Sequence, residues 1–106
     1  MSLPDSPNVL PLEGEFDLHV SPRVAASLAA MVAAHPARVV IDFSGVTFID
    51  SSGLAVLVKT MQDMEEYGGI LTLAGISKDV RSIFEMARLD QFFLIFPHVD
   101  AALAAA

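Results

Sequence analysis

The feature that most limits how this chain can fold is an apolar, β-branched run at residues 38–43, RVVIDF. A continuous run of this kind is typical of a strand in the middle of a sheet, buried on both faces. The 106 residues are enough for one domain with one modest core. The run therefore predicts the central strand of a single-domain protein.

Extended and helical patterns alternate along the rest of the chain. Further strands are predicted at residues 8–12, 70–74 and 92–96. Pro11 suits an edge strand, because proline cannot donate to a ladder of hydrogen bonds. Three stretches with apolar residues at helical spacing begin after Ser21, Ser52 and Ser77. A short alanine-rich helix is predicted after Pro97.

Turn and capping residues predict where these elements begin and end. Ser21 is predicted to be a helix N-cap, with proline next at the first helical position, and Ser77 is predicted to cap a later helix. Gly68 and Gly69 are predicted to end the helix that starts near Ser52. Residues 13–19 and the pair Ser44–Gly45 are expected to be turns.

The alternation predicts an α/β fold: a four- to five-stranded mixed or largely parallel sheet flanked by about four helices. We expect this domain at residues 8–106, after a flexible lead at residues 1–7 that holds two prolines and two serines. In such folds function concentrates at the carboxyl ends of the strands. The strand-to-helix junction at residues 48–57, FIDSSGLAVL, is expected near that edge.

Charge and residue usage argue against several partners. The formal charge is -7, and the six Lys and Arg residues are scattered singly, so neither nucleic acid nor an anionic membrane surface is an expected partner. The longest apolar stretch, residues 24–34, is too short to span a bilayer, and the start lacks a signal-peptide pattern. We expect a cytoplasmic protein without direct membrane insertion.

No pattern for catalysis or cofactor binding is present. The junction lacks the Gly-x-Ser-x-Gly of a nucleophile elbow, and the chain has no phosphate-binding P-loop. Cysteine is absent, and no histidine or carboxylate cluster has metal spacing. The three histidines, His19, His35 and His98, are expected to be surface or turn residues. The sequence therefore predicts no enzyme, no catalytic residues, no metal and no cofactor.

Asp50, Ser51 and Ser52 at the junction allow two interpretations. In the first, Asp50 or Ser51 is an N-cap that accepts hydrogen bonds from the first free amides of the helix. In the second, a serine is phosphorylated, because a helix N-terminus has unpaired N–H groups and a partial positive charge that tolerate a phosphate. Spacing alone does not decide between them.

Residues 39–57, VVIDFSGVTFIDSSGLAVL, resemble the signature of STAS domains, and of bacterial anti-sigma factor antagonists in particular. GEFD at residues 14–17 is similar to the family's Gly-Glu-Leu-Asp turn, and residues 68–97 also match its pattern. The family usually opens with an additional strand before the strand that ends in GEFD. Few residues precede that point here, so we expect this first strand to be short or missing.

The resemblance implies a role for each polar residue of the junction. Ser51 would be phosphorylated, and Asp17, Asp50, Ser52 and Gly53 would contact the partner. That partner would be an anti-sigma factor with serine kinase activity, and a serine phosphatase would reset the cycle. Unphosphorylated protein would bind the anti-sigma factor and so release a sigma factor.

Two other functions stay open. The chain could be a non-switching STAS subunit, such as a lipid-transporter component or a scaffold in a stress-signalling assembly. It could also be a small hydrolase or nucleotide-binding enzyme, although no motif supports that hypothesis.

Overall fold

The computed structural model describes residues 8–105, in which four strands and four helices alternate. In chain order they are β1 (Val9–Phe16), α1 (Ser21–Val32), β2 (Arg38–Ile49), α2 (Ser51–Glu65), β3 (Ile70–Ala74), α3 (Lys78–Met86), β4 (Leu94–Phe96) and α4 (Val99–Ala104). The α/β fold is therefore confirmed. The predictions for the lead and for an additional first strand fall on residues 1–7, outside the described part.

The four strands form one sheet in the order β1-β2-β3-β4. All three pairings between these strands are parallel, so the expectation of a mixed sheet gives way to the parallel alternative. The reason is that each connection from β1 to β4 contains a helix, which carries the chain back to the edge where the previous strand began. β1 lies at the edge of the sheet, as Pro11 predicted.

The two faces of the sheet are covered unequally. Side chains that alternate with one another on β2 belong to two clusters: Val39, Ile41 and Phe43 to the larger, and Val40 to the smaller. The larger cluster holds buried residues of α1, α2 and α3, so these three helices share one face. The smaller cluster includes Ala102, so α4 lies on the opposite face.

β1 and β2 extend beyond the rest of the sheet. β3 pairs with β2 only as far as Asp42, whereas β1 follows β2 to the pair Phe16–Ile49. The seven residues of β2 past Asp42 add roughly 20 Å at the usual strand rise. The carboxyl ends of β1 and β2 therefore stand together on a two-stranded projection.

This projection shortens one predicted turn and overturns another. Residues 13–16 continue β1, so only residues 17–19 of the first predicted turn form a loop, and Ser44 and Gly45 continue β2. Two register shifts between the strands absorb the irregular residues. A Cβ atom on Gly45 would lie 3.0 Å from the carbonyl oxygen of Leu12, so this glycine serves close approach between the strands instead of a turn.

Other boundaries vary in their agreement with the sequence. β3 matches its predicted range, Ser77 caps α3 through a bond from the Val80 amide, and Gly68 adopts positive φ after α2. Ser21 is not an N-cap: Val20 holds that position, and Ser21 is the first residue of α1. β4 is shorter than predicted because Phe92 belongs to a turn, in which its amide donates to the carbonyl oxygen of Leu89, and Phe93 to the bend that follows.

No helix within residues 8–105 has the length and apolar character needed to cross a membrane.

Candidate functional site

The DSSG junction lies at the end of the β1–β2 projection. Asp50 follows β2 directly, with an extended backbone (φ -109°, ψ -174°), and α2 begins at the next residue. The Asp50 amide donates to the carbonyl oxygen of Phe16, the last residue of β1, at 3.2 Å. The start of α2 is thus fixed to the carboxyl ends of both strands.

The Asp50 carboxylate accepts four hydrogen bonds. Its Oδ1 atom accepts the amides of Ser52 (2.9 Å) and Gly53 (3.1 Å) and the hydroxyl of Ser52 (2.6 Å). Its Oδ2 atom accepts the amide of Leu18, in the loop after β1, at 3.1 Å. Asp50 is therefore the N-cap of α2, as the first interpretation predicted, and it also fixes the neighbouring loop.

These bonds favour the charged form of the carboxylate. The hydroxyl of Ser52 and then the amide of Gly53 lower the pKa of Asp50 below its ordinary value of 3.8. The cap is consequently ionised at neutral pH, which also suits the positive end of the α2 dipole.

A short chain of hydroxyls connects the cap to α1. Ser52 Oγ lies 2.8 Å from Ser21 Oγ, and Ser21 Oγ lies 2.8 Å from the carbonyl oxygen of Asp17. Ser52 Oγ also donates to Asp50 Oδ1, so the two hydroxyl groups make three short contacts but have only two protons to donate. Both protons are therefore used within the chain, and neither Ser21 nor Ser52 has one free to donate outward.

Ser51 stands apart from this network. It is the first residue of α2 and is exposed, whereas Ser52 is half-buried. None of the junction's side-chain hydrogen bonds among residues 8–105 uses the Ser51 hydroxyl. Two adjacent serines of the same motif thus have opposite environments.

Gly53 allows the first turn of α2 to lie against the strands. A Cβ atom at this position would come within 2.8 Å of Ile49 Cγ1 and of the carbonyl oxygen of Phe16. A larger residue would push the helix off the projection. The requirement for glycine here is steric and follows from the packing of α2, whatever Gly53 contributes to binding.

Asp17 orders the loop between β1 and α1. Its carbonyl oxygen accepts the amides of Val20 and Ser21, and its Oδ1 atom accepts the amide of His19 at 3.0 Å. The half-buried side chain thus has a turn role. The structure brings Asp17, Asp50, Ser52 and Gly53 together at the junction, and their part in binding a partner stays a prediction. Leu18 and Ser21 were missed, since nothing in their local sequence pattern indicates contacts with residues more than thirty positions away.

Across residues 8–105, the three histidine side chains take no part in the hydrogen bonds of the junction. His98 caps α4 by accepting the Ala101 amide, and His35 stacks on Tyr67 with 4.4 Å between ring centroids. His19 is exposed beside the junction. The part of the chain that the structure describes holds no group of three or more histidines and carboxylates placed to bind a metal ion.

Comparison with known proteins identifies relatives along nearly the whole chain. A model of the STAS domain matches residues 2–102. The anti-sigma-F factor antagonist RsfB of Mycobacterium tuberculosis is 33% identical over 95 residues, which cover 90% of this chain and 77% of that protein.

Solved structures share the fold. A sulfate transporter family protein from Wolinella succinogenes has a TM-score of 0.81 at 24% identity, over 92% of this chain and 81% of that one. The phosphorylated form of the Bacillus cell fate determinant SpoIIAA has a TM-score of 0.70 at 23% identity, over 90% of this chain and 86% of that one. At these identities the likeness establishes the architecture alone.

The capping role of Asp50 is testable by substitution. We expect Asp50→Ala to lower the melting temperature by roughly 5 to 10 °C at pH 7, because three amides and a hydroxyl lose their acceptor. Thermal unfolding followed by circular dichroism measures the change. Asp63→Ala, which removes only an exposed i,i+4 ion pair with Lys59, is the control and should have almost no effect.

The stability difference between wild type and Asp50→Ala should depend on pH. Because folding lowers the pKa of Asp50, its contribution is complete above the ordinary value of 3.8 and is lost as the pH falls through the folded pKa. The difference in melting temperature between wild type and Asp50→Ala should therefore shrink below pH 3.8. If Asp50→Ala had the same melting temperature as wild type at pH 7, Asp50 would not be a structural cap.

Proposed function

Because the chain belongs to the STAS domain family, we propose that it is an anti-sigma factor antagonist, a protein-binding module and not an enzyme. In this proposal it binds an anti-sigma factor and thereby releases a sigma factor. The naming of RsfB as an anti-sigma-F factor antagonist, at 33% identity, supports this choice within the family.

The proposed control is phosphorylation of Ser51 by an anti-sigma factor with serine kinase activity. The observation that carries it is the contrast between the exposed Ser51 hydroxyl and the half-buried Ser52 hydroxyl, whose proton is already donated within the junction. A kinase must surround the acceptor hydroxyl and remove its proton while the Ser51 oxygen attacks the γ-phosphorus of ATP and ADP leaves. Ser51 can meet these requirements without disturbing the cap.

A serine phosphatase completes the proposed cycle by hydrolysing the phosphoserine to serine and inorganic phosphate. Because the kinase step consumes ATP, the proposed cycle would run in the cytoplasm. A fold neighbour, SpoIIAA, has been solved in a phosphorylated form, which supports the compatibility of this architecture with a phosphate.

The position of the cap explains how a phosphate would act on a partner. The amides of Ser52 and Gly53 already bind Asp50, so a phosphate on Ser51 cannot take them without displacing the carboxylate. The phosphate would therefore face outward, where its charge is about -1.5 to -2. Two negative charges about 8 Å from a partner carboxylate, at an effective dielectric constant of about 40, repel by roughly 2 kcal/mol, or about thirtyfold in affinity.

The alternative is a non-switching STAS subunit or scaffold, for example in a lipid transporter. The fold likeness to a sulfate transporter family protein does not favour it, because 24% identity establishes only the architecture. The exposed serine beside an intact cap favours the switched antagonist instead.

The phosphorylation site is the first test. An affinity pull-down from the native cell, read by mass spectrometry, identifies the kinase, which is then purified and incubated with the protein and ATP. We expect one phosphate, on Ser51, and none on the Ser51→Ala variant. Phosphate on Ser52 or Ser44 with none on Ser51 would refute the assignment, and recovery of transporter subunits would support the alternative function.

A charge at position 51 should weaken binding without unfolding the domain. We expect Ser51→Asp to bind the purified kinase at least about fivefold more weakly, as one added charge predicts, with a melting temperature within a few degrees of wild type. Ser51→Asn, similar in shape but uncharged, is the control and should bind like wild type. A large loss of stability in Ser51→Asp would mean that the residue has mainly a structural role.

The charge of Asp17 can be separated from its turn role. Asp17→Asn keeps an oxygen to accept the His19 amide, so we expect an unchanged melting temperature but weaker binding to the kinase. Asp17→Ala should also lose about 1 kcal/mol of stability, because that acceptor is gone. Calorimetry and thermal unfolding measure the two effects. If Asp17→Lys bound as tightly as wild type, Asp17 would lie outside the interface.

A further inference from the structure

We propose that Leu18 is the apolar anchor of the partner surface, inserting into an apolar pocket of the anti-sigma factor beside the place where Ser51 is covered. This inference rests on the proposed function and adds the residue that supplies binding energy. It starts from the position of an exposed apolar side chain: 67% of Leu18 is accessible to solvent, and its amide bonds to the cap of α2.

The loop that carries Leu18 is ordered by hydrogen bonds. All four amides from Leu18 to Ser21 are donated: Leu18 to Asp50 Oδ2, His19 to Asp17 Oδ1, and the other two to the Asp17 carbonyl oxygen. These bonds fix the backbone of the loop in a conformation that leaves the Leu18 side chain exposed. A side chain presented on an ordered loop binds with a smaller loss of conformational entropy than one on a loop that must first be fixed.

Leu18 lies within the area that a partner on Ser51 must cover. Its amide is 3.1 Å from the carboxylate of Asp50, the residue directly before Ser51. A typical protein–protein interface buries about 800 Å² on each side, which corresponds to a patch roughly 30 Å across. A partner whose binding is blocked by a phosphate on Ser51 would consequently also bury Leu18.

The surroundings of Leu18 indicate the chemistry of the pocket. Asp17 directly precedes Leu18 in the chain, the Asp50 carboxylate accepts the Leu18 amide, and Glu15 is exposed near the end of β1. The matching surface is an apolar pocket with basic groups facing Asp17, while the partner carboxylate that a phosphate would repel faces Ser51. A second copy of this chain fits poorly, because a symmetric contact would bring two sets of these carboxylates together.

Met86 provides a matched control. It is even more exposed, at 84%, but it is the last residue of α3. α3 starts after the carboxyl end of β3 and runs back along the sheet. Met86, at its end, therefore lies towards the amino-terminal ends of the strands, whereas Ser51 follows the carboxyl end of β2. Removing this side chain should therefore leave the proposed interface intact.

The test measures the affinity of the purified partner kinase for wild type, Leu18→Ala, Leu18→Met and Met86→Ala by calorimetry. We expect Leu18→Ala to bind at least about tenfold more weakly, because burial of the larger side chain is lost. Leu18→Met should stay within about threefold of wild type, and Met86→Ala should be unchanged. Thermal unfolding should be unaltered in all three variants, since the amide of residue 18 is retained.

Each other result would overturn the inference in a distinguishable way. Equal affinities of wild type and Leu18→Ala would refute the anchor while leaving the proposed function in place. Failure of unmodified wild type to bind the kinase would refute both. A wild-type dimer in sedimentation that Leu18→Ala dissociates would assign the residue to self-association instead.

Discussion

One carboxylate, that of Asp50, joins the parts of the molecule that form the site. Its two oxygens accept the first amides of α2, the Ser52 hydroxyl and the amide of Leu18. A cap ordinarily stabilises only its own helix. Here the same group also accepts a bond from the loop that leads into α1, so the β1–α1 loop and the start of α2 form one hydrogen-bonded surface.

The place of this surface depends on how closely α2 approaches the strands. β1 and β2 run together past the rest of the sheet, and Gly53 lets the first turn of α2 contact the last residues of both. Loops at the ends of strands are usually mobile. In this protein the backbone amides of the β1–α1 loop are hydrogen-bonded, which fits a surface that a partner recognises without first ordering it.

The same geometry separates folding from the proposed control. The structural hydrogen bonds use Asp50, Ser52 and Ser21, and they leave Ser51 at the surface. A charge added to Ser51 would therefore alter what can bind at the helix end, while the cap beneath it stays in place. The two neighbouring serines have different environments because a helix rotates successive side chains by about 100°, which turns Ser52 inward and leaves Ser51 outward.

The sequence by itself determined the α/β class, the central strand at residues 38–43, most of the helices and the cap at the DSSG junction, because these depend on local periodicity and on residues a few positions apart. It also placed Asp17 in a polar loop, although residues 13–16 of that loop proved to be strand. Only the tertiary structure decided that β1 and β2 project beyond β3, that Ser21 contacts Ser52 and that Leu18 bonds to Asp50. The two side-chain contacts join positions 31 and 32 residues apart, and a local sequence pattern does not indicate which distant residues become neighbours in the fold.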